Sequence, residues 1–489
     1  MENTGRIRKL LSPTARKILF GRSTSSMIDD ELPFICSADC AHLVMLAECG
    51  ICDPQSTARL LRAIQRLMEA DFDVLRGRDP VRGMFLLYED YLIETEGAEV
   101  GGILQTARSR NDLNATVTKM RLRKPYIRLL SEILKFEAIL LRRVEAYLDV
   151  VMPAYTHGQP AAPSTLGHYL AGFTQALMRD FDGLLDAGRN ISQSPLGSCA
   201  IAGTSFPIDT RRTAQLLGFD EGPVNSVDAI ASRDLVLRIL AAASICGITL
   251  SRLATDLLEW STAEFGFLDL PDELVGSSSA MPQKRNPFLL EHVKGRTASI
   301  LGAFVASASA MRGTPFTNSI AVGTEAIKPV WAALDELTDS VVLLRIFVAG
   351  LRPKREAMMQ CAKAGFTVAT ELANKLVARA GMDFRSAHRA VGQAITAVGN
   401  KESGSVEAIA AEVSSSRGIS ILAEELEPAF VAQASVSGGG PARSSVETCL
   451  QMLKQRWLEQ KAQSRSYKRT WLNAEAQLED AVQTLRQCS

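Results

Sequence analysis

Apolar residues recur every three or four positions along most of the chain, which is the spacing of helices that bury one face. Between residues 126 and 151 the apolar side chains form one stripe and the charged side chains lie mostly off it, which predicts a long buried helix of a bundle. The stripe consists of Leu129, Ile133, Phe136, Leu140, Val144 and Tyr147. The same spacing predicts helices over residues 56–72, 164–187, 232–264, 291–311, 325–347 and 367–380. Strand-like alternation is almost absent, so the sequence predicts an all-α fold.

Segments rich in glycine, proline, serine and asparagine separate these helices. They cover residues 97–112, 153–163, 192–207 and 266–287, and we expect them to be irregular. Long irregular connections on a rigid scaffold often contain functional residues. A charged helix is predicted from 446 to 487, packed on the body or on another subunit. Its apolar anchors are Met452, Trp457, Tyr467, Trp471 and Leu478.

Composition excludes several classes of protein. The chain has 54 Lys plus Arg against 54 Asp plus Glu, so it has no net attraction for nucleic acid. Its most apolar stretch without a charge, residues 297–311, is too short to cross a bilayer of about 30 Å. We therefore expect no membrane span and a cytoplasmic location. Nine cysteines with a single CxxC spacing predict reduced, mostly buried thiols rather than a zinc site.

The segment from Gly276 to Pro287 has the most informative composition, GSSSAMPQKRNP. One glycine and three serines predict a flexible loop with many exposed backbone N–H donors, which suits the binding of a carboxylate. Lys284 adds a cation and Asn286 adds an amide donor. From composition alone, the loop is either an anion-binding segment or a polar cap for the helix that follows Pro287.

The order of residues in this loop resembles the signature GSSxMPxKxN of the fumarase, aspartase and argininosuccinate lyase superfamily. MPQK followed by a basic residue and NP resembles the argininosuccinate lyase branch. Five further segments resemble that branch in the same order, so the resemblance extends over about residues 101–440. They are RSRND at 108–112, YTHGQP at 155–160, SPLGS at 194–198 with AG at 202–203, NSVDA at 225–229 with SRD at 232–234, and ATELA at 369–373 with AH at 387–388.

This resemblance implies a fold and a reaction. The implied subunit has an N-terminal helical domain (1–112), a central bundle (113–355) that forms the core of a homotetramer, and a small helical C-terminal domain with the tail (356–489). Its active sites are composite, and different subunits contribute the regions around Arg110, His157 and Ser278. The implied reaction is anti elimination of fumarate from a small dicarboxylate, an N-substituted aspartate. No cofactor or metal is implied.

Matching residue to residue implies a role for each candidate. Ser278, six positions before Lys284, is the predicted base, and its hydroxyl needs activation by Lys284, by loop donors and by a closed site. His157 matches a histidine that contacts the substrate and transfers a proton near neutral pH. Glu291 matches the glutamate that pairs with that histidine. The implied substrate-binding residues are Arg110, Asn111, Thr156, Gln159, Arg233, Ser277, Ser279 and Asn286.

Structural roles remain alternatives for several of these residues. Ser278 is alternatively a simple loop hydroxyl, and Glu291 a solvent-facing acid favoured by the helix dipole. Arg233 is alternatively a buried partner of Asp234 or of another acid. The four remaining histidines are predicted to be structural. They are His42, His168, His292 and His388.

One segment departs from the argininosuccinate lyase branch. That branch has YNxDxQEDK after the next bundle helix, and its Tyr, Gln and Lys help to place the arginine end of the substrate. Here Ser319, Thr324 and Ile327 stand at those positions. This leaves the amine open between argininosuccinate and another aminosuccinate, as in ethylenediaminedisuccinate (EDDS) lyase. Two rivals are an enzyme that adds amines to fumarate and a structural protein without turnover, as in lens crystallins derived from this family.

Overall fold

The computed structural model describes residues 11–20, 24–78, 83–399, 406–418 and 420–487. Within these ranges the chain forms long α-helices and only short two-stranded ladders, which confirms the all-α prediction. The helices are α1 (Pro13–Phe20), α2 (Thr24–Glu48), α3 (Pro54–Glu69), α4 (Met84–Glu96), α5 (Ala98–Gly101), α6 (Arg110–Ala146), α7 (Leu166–Ala187), α8 (Thr210–Leu216), α9 (Ser226–Ala231), α10 (Asp234–Trp260), α11 (Phe288–Met311), α12 (Lys328–Gly350), α13 (Arg355–Ala364), α14 (Ala369–Ala380), α15 (Phe384–Gly399), α16 (Val406–Arg417), α17 (Pro428–Ala434) and α18 (Arg443–Gln487). The strands are β1 (Val151–Thr156), β2 (Gln159–Thr165), β3 (Leu268–Asp269), β4 (Gly276–Ser277), β5 (Arg285–Asn286) and β6 (Arg352–Pro353).

Helices α6, α7, α10, α11 and α12 form a central bundle with one shared apolar core. Helices α6 and α12 run in the same direction. Near their starts, Arg121 stacks on the ring of Trp331 at 4.6 Å, and near their ends the Nε of Arg143 donates to the carbonyl of Val348 at 3.2 Å. We call the end at which α6 and α12 begin the N end of the bundle, and the opposite end the C end.

The other bundle helices can be placed from single contacts. Helix α7 runs back toward the N end, since the hydroxyl of Tyr126 in α6 donates to the carbonyl of Leu184 at 2.8 Å. Helix α10 finishes at the C end, because the carbonyl of its last residue, Trp260, accepts from Phe267 N, and Phe267 O accepts from Lys354 N just after α12. Helix α11 therefore begins at the C end and returns to the N end.

The length of α6 sets the dimensions of the bundle. It has 37 residues, which corresponds to about 55 Å. Its N-cap is Ser109, whose Oγ accepts from Asn111 N at 3.3 Å while Asp112 accepts from Ser109 N at 3.0 Å. The predicted start at residue 126 was too late, because charged residues and Pro125 interrupt the apolar pattern without ending the helix. The segment 97–112 is likewise not wholly irregular, since it contains α5, a 3-10 turn and the start of α6.

The segment 153–163 was predicted to be irregular, and this was wrong. It belongs to an antiparallel hairpin of β1 and β2 with a two-residue turn, His157-Gly158. Both turn residues have positive φ, 53° and 73°, which is the backbone of a type I′ turn and matches the twist of the two strands. Three prolines and a bulge at Ala154/Tyr155 obscure the strand alternation in the sequence.

The tail forms helix α18, as predicted, and packs along the subunit. Trp457 Nε1 donates to the carbonyl of Leu134 at 2.9 Å, and Trp471 is buried against Arg123. Leu478 reaches the apolar cluster of the first 120 residues. Met452 is 69% exposed and is not an anchor, because it lies on the solvent face of the helix.

Buried apolar residues form three clusters. They involve residues 28–120 with 196–219, the central bundle with part of the tail, and residues 368–431. The domain bounds 1–112, 113–355 and 356–489 remain a prediction. The eight described cysteines are free, but only Cys36, Cys40 and Cys246 are buried, so the expectation of mostly buried thiols was too strong. Cys488 lies outside the described residues.

Of the described helices, α10 alone has the length and apolar composition of a membrane span, and half of its most apolar stretch is buried inside the subunit. The apolar side chains that α10 leaves exposed include Ile245 and Ile248, and α11 exposes Leu301 and Val305. Apolar faces of this kind on bundle helices are typical of surfaces that pack against another chain.

Glu137, in the middle of α6, is a fully buried acid. Within the described residues neither of its carboxylate oxygens has a hydrogen-bond partner. Burial, with a smaller contribution from Asp182, raises the pKa of Glu137 well above 4.5. The folded protein therefore keeps a proton here that the unfolded chain releases above its ordinary pKa. The stability gained from that proton is lost as the pH rises from this ordinary value toward the raised pKa.

We expect Glu137→Gln to raise the melting temperature at pH 8.5 more than at pH 5.5, since the amide has no proton to lose. The difference in unfolding free energy should grow by up to about 1.4 kcal/mol per pH unit. Thermal denaturation at several pH values measures it. Glu145→Gln, an exposed position on the same helix, is the control and should change little at either pH. An equal effect of Glu137→Gln at both pH values would contradict this account.

Candidate active site

The segment from Gly276 to Pro287, which we call the signature loop, is closed by pairing of the short strands β4 and β5. Gly276 pairs with Asn286 and Ser277 with Arg285, so residues 278–284 form a loop between two paired ends. Arg285 anchors the ladder by donating to the carboxylate of Asp272 at 2.6 Å and to the carbonyl of Leu270 at 2.7 Å. The two-residue strands and a 3-10 turn are the regular structure within a segment predicted to be irregular.

Ser278 has a distinctive position in this loop. Its Oγ accepts a hydrogen bond from Met281 N at 3.1 Å and a longer one from Ala280 N at 3.4 Å. Backbone N–H groups directed at a hydroxyl oxygen stabilise negative charge on it, and this makes the hydroxyl easier to deprotonate. The side chain is half-buried, whereas Ser277, Ser279 and Lys284 are exposed. The loop thus holds one hydroxyl oxygen that accepts backbone N–H groups, and it exposes a lysine and two further hydroxyls.

The hairpin presents His157 at its tip, together with Thr156 and Gln159. All three residues are exposed. The strand just before the tip is anchored, because the ring of Tyr155 packs against Phe265 at 5.8 Å and its hydroxyl lies 3.4 Å from the Sγ of Cys361. The imidazole therefore projects from the C end of the bundle on a fixed support.

Glu291 lies in the first turn of α11, three residues after its start. It is exposed and borders a cavity of about 470 Å³ together with Phe288, His292 and Arg296. Within the described residues of one subunit, neither Glu291 nor His157 has a hydrogen bond or an ion pair. The predicted pairing of the two is therefore not made inside one subunit.

The start of α6 holds the second group of candidates, at the N end. Asn111 donates from Nδ2 to the carbonyl of Ala200 at 2.8 Å and accepts from Asn318 Nδ2 at 3.0 Å. Arg110 is exposed at the first position of the helix. These contacts join three segments that are distant in the sequence: the start of α6, the loop around residue 200 and the connection before α12.

Asp112 connects the start of α6 to the loop around residue 200 through hydrogen bonds of its buried carboxylate. It is fully buried, and its carboxylate accepts from the backbone N–H groups of Gly197 at 3.0 Å and Cys199 at 2.9 Å as well as from Ser109. Burial raises the pKa of Asp112 to about 6, although these hydrogen bonds oppose the shift. Asp112 therefore ties the loop at 197–203 to the start of α6.

Sequence reasoning missed the roles of Asp112 and Asn318. Asp112 was visible as the last residue of RSRND, but its backbone partners are 85 and 87 residues away in the sequence. Asn318 lies in the segment that departs from the family pattern, so that pattern offered no signal for it. Both belong to the site because of long-range contacts.

Arg233 is buried rather than exposed in a binding surface. Its guanidinium donates to the carbonyls of Ile230 and Ser232, both at 2.8 Å, and burial lowers its pKa to about 10. The alternative of an ion pair with Asp234 was wrong, because Asp234 bonds to Arg238 at 2.7 Å instead. Arg233 thus supports the turn that precedes α10.

Two of the other histidines have the structural bonds that were predicted. His42 Nε2 lies 2.8 Å from the carbonyl of Thr106, and burial lowers its pKa to about 3. His168 contacts Ser164 and the carbonyl of Gly439. The rings of His292 and His388 contact phenylalanine rings at edge-to-face or tilted angles. The described residues contain no cluster of three or more His, Cys, Asp or Glu that suits a metal ion.

Within one subunit, the candidate site residues therefore lie in two separate groups, one at each end of the bundle. Arg110 and Asn111 lie at the N end, while the hairpin and the signature loop lie at the C end, separated from them by the length of α6, about 55 Å. Chemically, the C end offers a hydroxyl that accepts backbone N–H groups, a lysine and an imidazole. The N end offers an arginine and two amides, which suit a carboxylate.

Comparisons with known proteins connect this arrangement to enzymes. A family model described as a lyase matches residues 87–302, and a model described as argininosuccinate lyase C-terminal matches residues 366–437. Argininosuccinate lyase 1 of Shouchella clausii is 33% identical over 461 residues, which is 92% of this chain and 93% of that protein.

Solved structures give the same fold. EDDS lyase in complex with formate superposes with a TM-score of 0.86 at 28% identity, over 99% of this chain and 97% of that chain. Class II fumarase from Schistosoma mansoni has a TM-score of 0.69 at 16% identity, over 88% of this chain and 97% of that chain, and it supports the fold alone.

We expect Asp112→Ala to lower the free energy of unfolding by roughly 2–6 kcal/mol, since it leaves the part-buried N–H groups of Gly197 and Cys199 without their buried acceptor. Chemical denaturation measures the loss. The matched control is Asp209→Ala, which removes an exposed acceptor of two N–H groups, those of Arg211 and Arg212, and should cost only about 1 kcal/mol. Equal losses in the two variants would show that Asp112 does not tie the loop to α6.

Proposed function

Since the chain belongs to the argininosuccinate lyase family of the fumarase and aspartase superfamily, we propose a catalytic site built from the two ends of its bundle. The chain is a carbon–nitrogen lyase that forms fumarate. Its substrate is an N-substituted L-aspartate, which anti elimination converts to fumarate and an amine. The observation that supports this most strongly is that the hydroxyl oxygen of Ser278 accepts hydrogen bonds from two backbone N–H groups of the signature loop.

The difficult step is the removal of a proton from the carbon beside a carboxylate that is already negative. His157 takes up the proton of the Ser278 hydroxyl, and the Oγ of Ser278 then removes the proton from this carbon. The freed electron pair forms the carbon–carbon double bond of fumarate as the bond to nitrogen breaks. His157, assisted by Glu291, supplies the proton that the departing amine takes up. Donors directed at the carboxylate of the carbanion are each worth about 3 kcal/mol in reactions of this kind.

The remaining candidates bind the dicarboxylate. Ser277 and Ser279 offer hydroxyl donors, Asn286 an amide, and Lys284 a charge that stabilises both the Ser278 alkoxide and a carboxylate. Arg110 binds a carboxylate through its fork, and Asn111 donates beside it. Thr156 and Gln159 flank His157 on the hairpin. Arg233 acts indirectly, by supporting the turn before α10.

A site that uses both groups must lie between subunits. The distance of about 55 Å along α6 keeps the N-end and C-end residues of one chain apart. Association with the bundles antiparallel places the N end of one subunit beside the C end of another. The exposed apolar side chains of α10 and α11 support this packing, and a closed assembly of this kind is the homotetramer that we propose.

Two candidate functions differ in the amine that is released from or added to fumarate. Argininosuccinate is the first, from the family. An enzyme that joins another amine to fumarate is the second, and the residues Ser319, Thr324 and Ile327 favour it, since they replace the Tyr, Gln and Lys of the arginine-binding segment. A structural protein without turnover is disfavoured by the presence of Ser278, His157 and Lys284 together. The cytoplasmic location remains a prediction.

The test is to follow fumarate by its ultraviolet absorbance with the purified protein. Fumarate is mixed with ammonia, ethylenediamine or arginine, and argininosuccinate is run in the cleavage direction. Formation or consumption of fumarate with any of these supports the proposal, and the rates identify the amine. If neither argininosuccinate nor any N-substituted aspartate is turned over, the proposal is wrong.

We expect Ser278→Ala to lower kcat by about 10²–10⁴-fold, because the base is lost while the fold is kept. Circular dichroism and light scattering verify fold and assembly. Ser277→Ala and Ser279→Ala serve as comparisons and should mainly raise KM, since these hydroxyls bind substrate. A Ser278→Ala variant with the parental kcat would exclude Ser278 as the base.

A second expectation concerns subunit mixing. Ser278→Ala and Asn111→Ala should each be inactive, but refolding them together should restore activity, because hybrid assemblies combine an intact C end with an intact N end. With random mixing roughly a quarter of the sites are intact. Hybrids as inactive as the separate variants would indicate that both residues must come from one subunit.

A further inference from the structure

Three large apolar side chains are exposed beside the residues proposed to bind substrate. Phe288 follows the signature loop directly at the C end, and Phe316 and Ile320 flank Asn318 at the N end. Phe316 is 66% exposed and Ile320 is 70% exposed. Large apolar groups in such positions suggest a ligand with apolar surface.

Phe288 has a fixed position at the stem of the loop. A Cβ on Gly276 would lie 2.9 Å from its ring, so the ring packs directly on the first strand of the signature loop. Its other neighbour is the imidazole of His292, at 5.7 Å between ring centroids. The exposed part of the ring borders the same cavity as Glu291. Phe288 therefore presents a packed apolar ring to the cavity that the proposed catalytic residue Glu291 also borders.

Phe316 and Ile320 have an equally fixed support at the N end. Asn318, between them, donates to Asn111 at 3.0 Å. The turn that follows is closed by the bond from Gly323 N to the carbonyl of Ser319 at 2.8 Å. From residue 313 to residue 324 the sequence has no charged side chain. This surface therefore offers amides for a carboxylate and apolar groups next to them.

Two of the acids close to these side chains are paired with basic groups. Glu325 pairs with Lys328 at 2.6 Å, and Glu336 pairs with Arg296 at 2.6 Å. Glu291 is the proposed partner of His157. Along residues 313–324, a substrate amine with a second positive charge, such as a guanidinium or an ammonium, would meet no carboxylate. An alkyl or aryl group would instead find apolar contacts.

We propose that the amine half of the site is apolar and that the enzyme acts on aspartates whose nitrogen bears an alkyl or aryl group. This inference rests on the proposed function, since Phe288 of one subunit meets Phe316 and Ile320 of another only if the two ends combine. The inference specifies the chemical class of the amine, which family membership alone does not specify.

A series of amines tests the inference in the direction of addition to fumarate. Ethylamine, butylamine and hexylamine differ only in apolar length, while ethylenediamine and arginine have a second charge. The expected result is a rise in kcat/KM of about fourfold for each added methylene that becomes buried. Ethylenediamine and arginine should react more slowly than butylamine.

Two variants locate the effect in the structure. Phe288→Asp should flatten the dependence on chain length and favour ethylenediamine over butylamine. Phe316→Ser should also flatten it, from the opposite end of the bundle. The matched control is Phe384→Asp, because Phe384 is likewise an exposed phenylalanine at a helix start whose ring contacts a histidine four residues later. The control should keep the dependence on chain length.

The outcomes separate this inference from the proposed function. Preference for arginine or ethylenediamine over all alkyl amines would overturn the inference and leave the lyase function intact. Absence of turnover with every amine and every N-substituted aspartate would overturn both. If Phe288→Asp dissociates the oligomer in light scattering while Phe316→Ser keeps the dependence on chain length, the apolar side chains cover a subunit contact and the inference is wrong.

Discussion

The length of helix α6 is the constraint on which the account of this protein depends. With 37 residues it extends for about 55 Å, and α12 runs beside it in the same direction. Every segment with candidate chemistry is attached to one of the two ends of this bundle. A loop that connects bundle helices can place a side chain at an end, but it cannot return that side chain along the whole length. Chemistry that needs both ends must therefore use more than one chain.

Local backbone structure then decides which side chains the ends present. At the C end, a two-residue turn with both φ angles positive places His157 at the tip of a hairpin, and Gly158 makes such a turn easy to form. The two-residue ladder of β4 and β5 closes the signature loop so that N–H groups face Ser278. At the N end, the buried carboxylate of Asp112 holds the loop at 197–203 against α6. The candidate groups Ser278, His157 and Lys284 are half-buried or exposed, whereas Asp112, which holds the loop at the other end, is buried and bonded.

Much of this could be predicted from the sequence, because helical periodicity and the order of residues in a loop are local properties. The bundle helices, the tail and the signature loop belong to this class. The β1/β2 hairpin was missed because prolines and a bulge interrupt its alternation, and the start of α6 because charges and Pro125 interrupt an apolar stripe. The roles of Asp112 and Asn318 depend on partners far away in the sequence, so local patterns do not indicate them. The prediction that Met452 anchors the tail was wrong for a different reason: the residue is apolar, but its position on the helix faces solvent.

The central claim is that an active site forms only when subunits associate. The most direct measurement is specific activity across a dilution series, with the mass of the protein determined by light scattering in the same samples. The account predicts that activity disappears in proportion to the fraction of protein at the subunit mass of 53.0 kDa. Full turnover by protein that is demonstrably monomeric would contradict it.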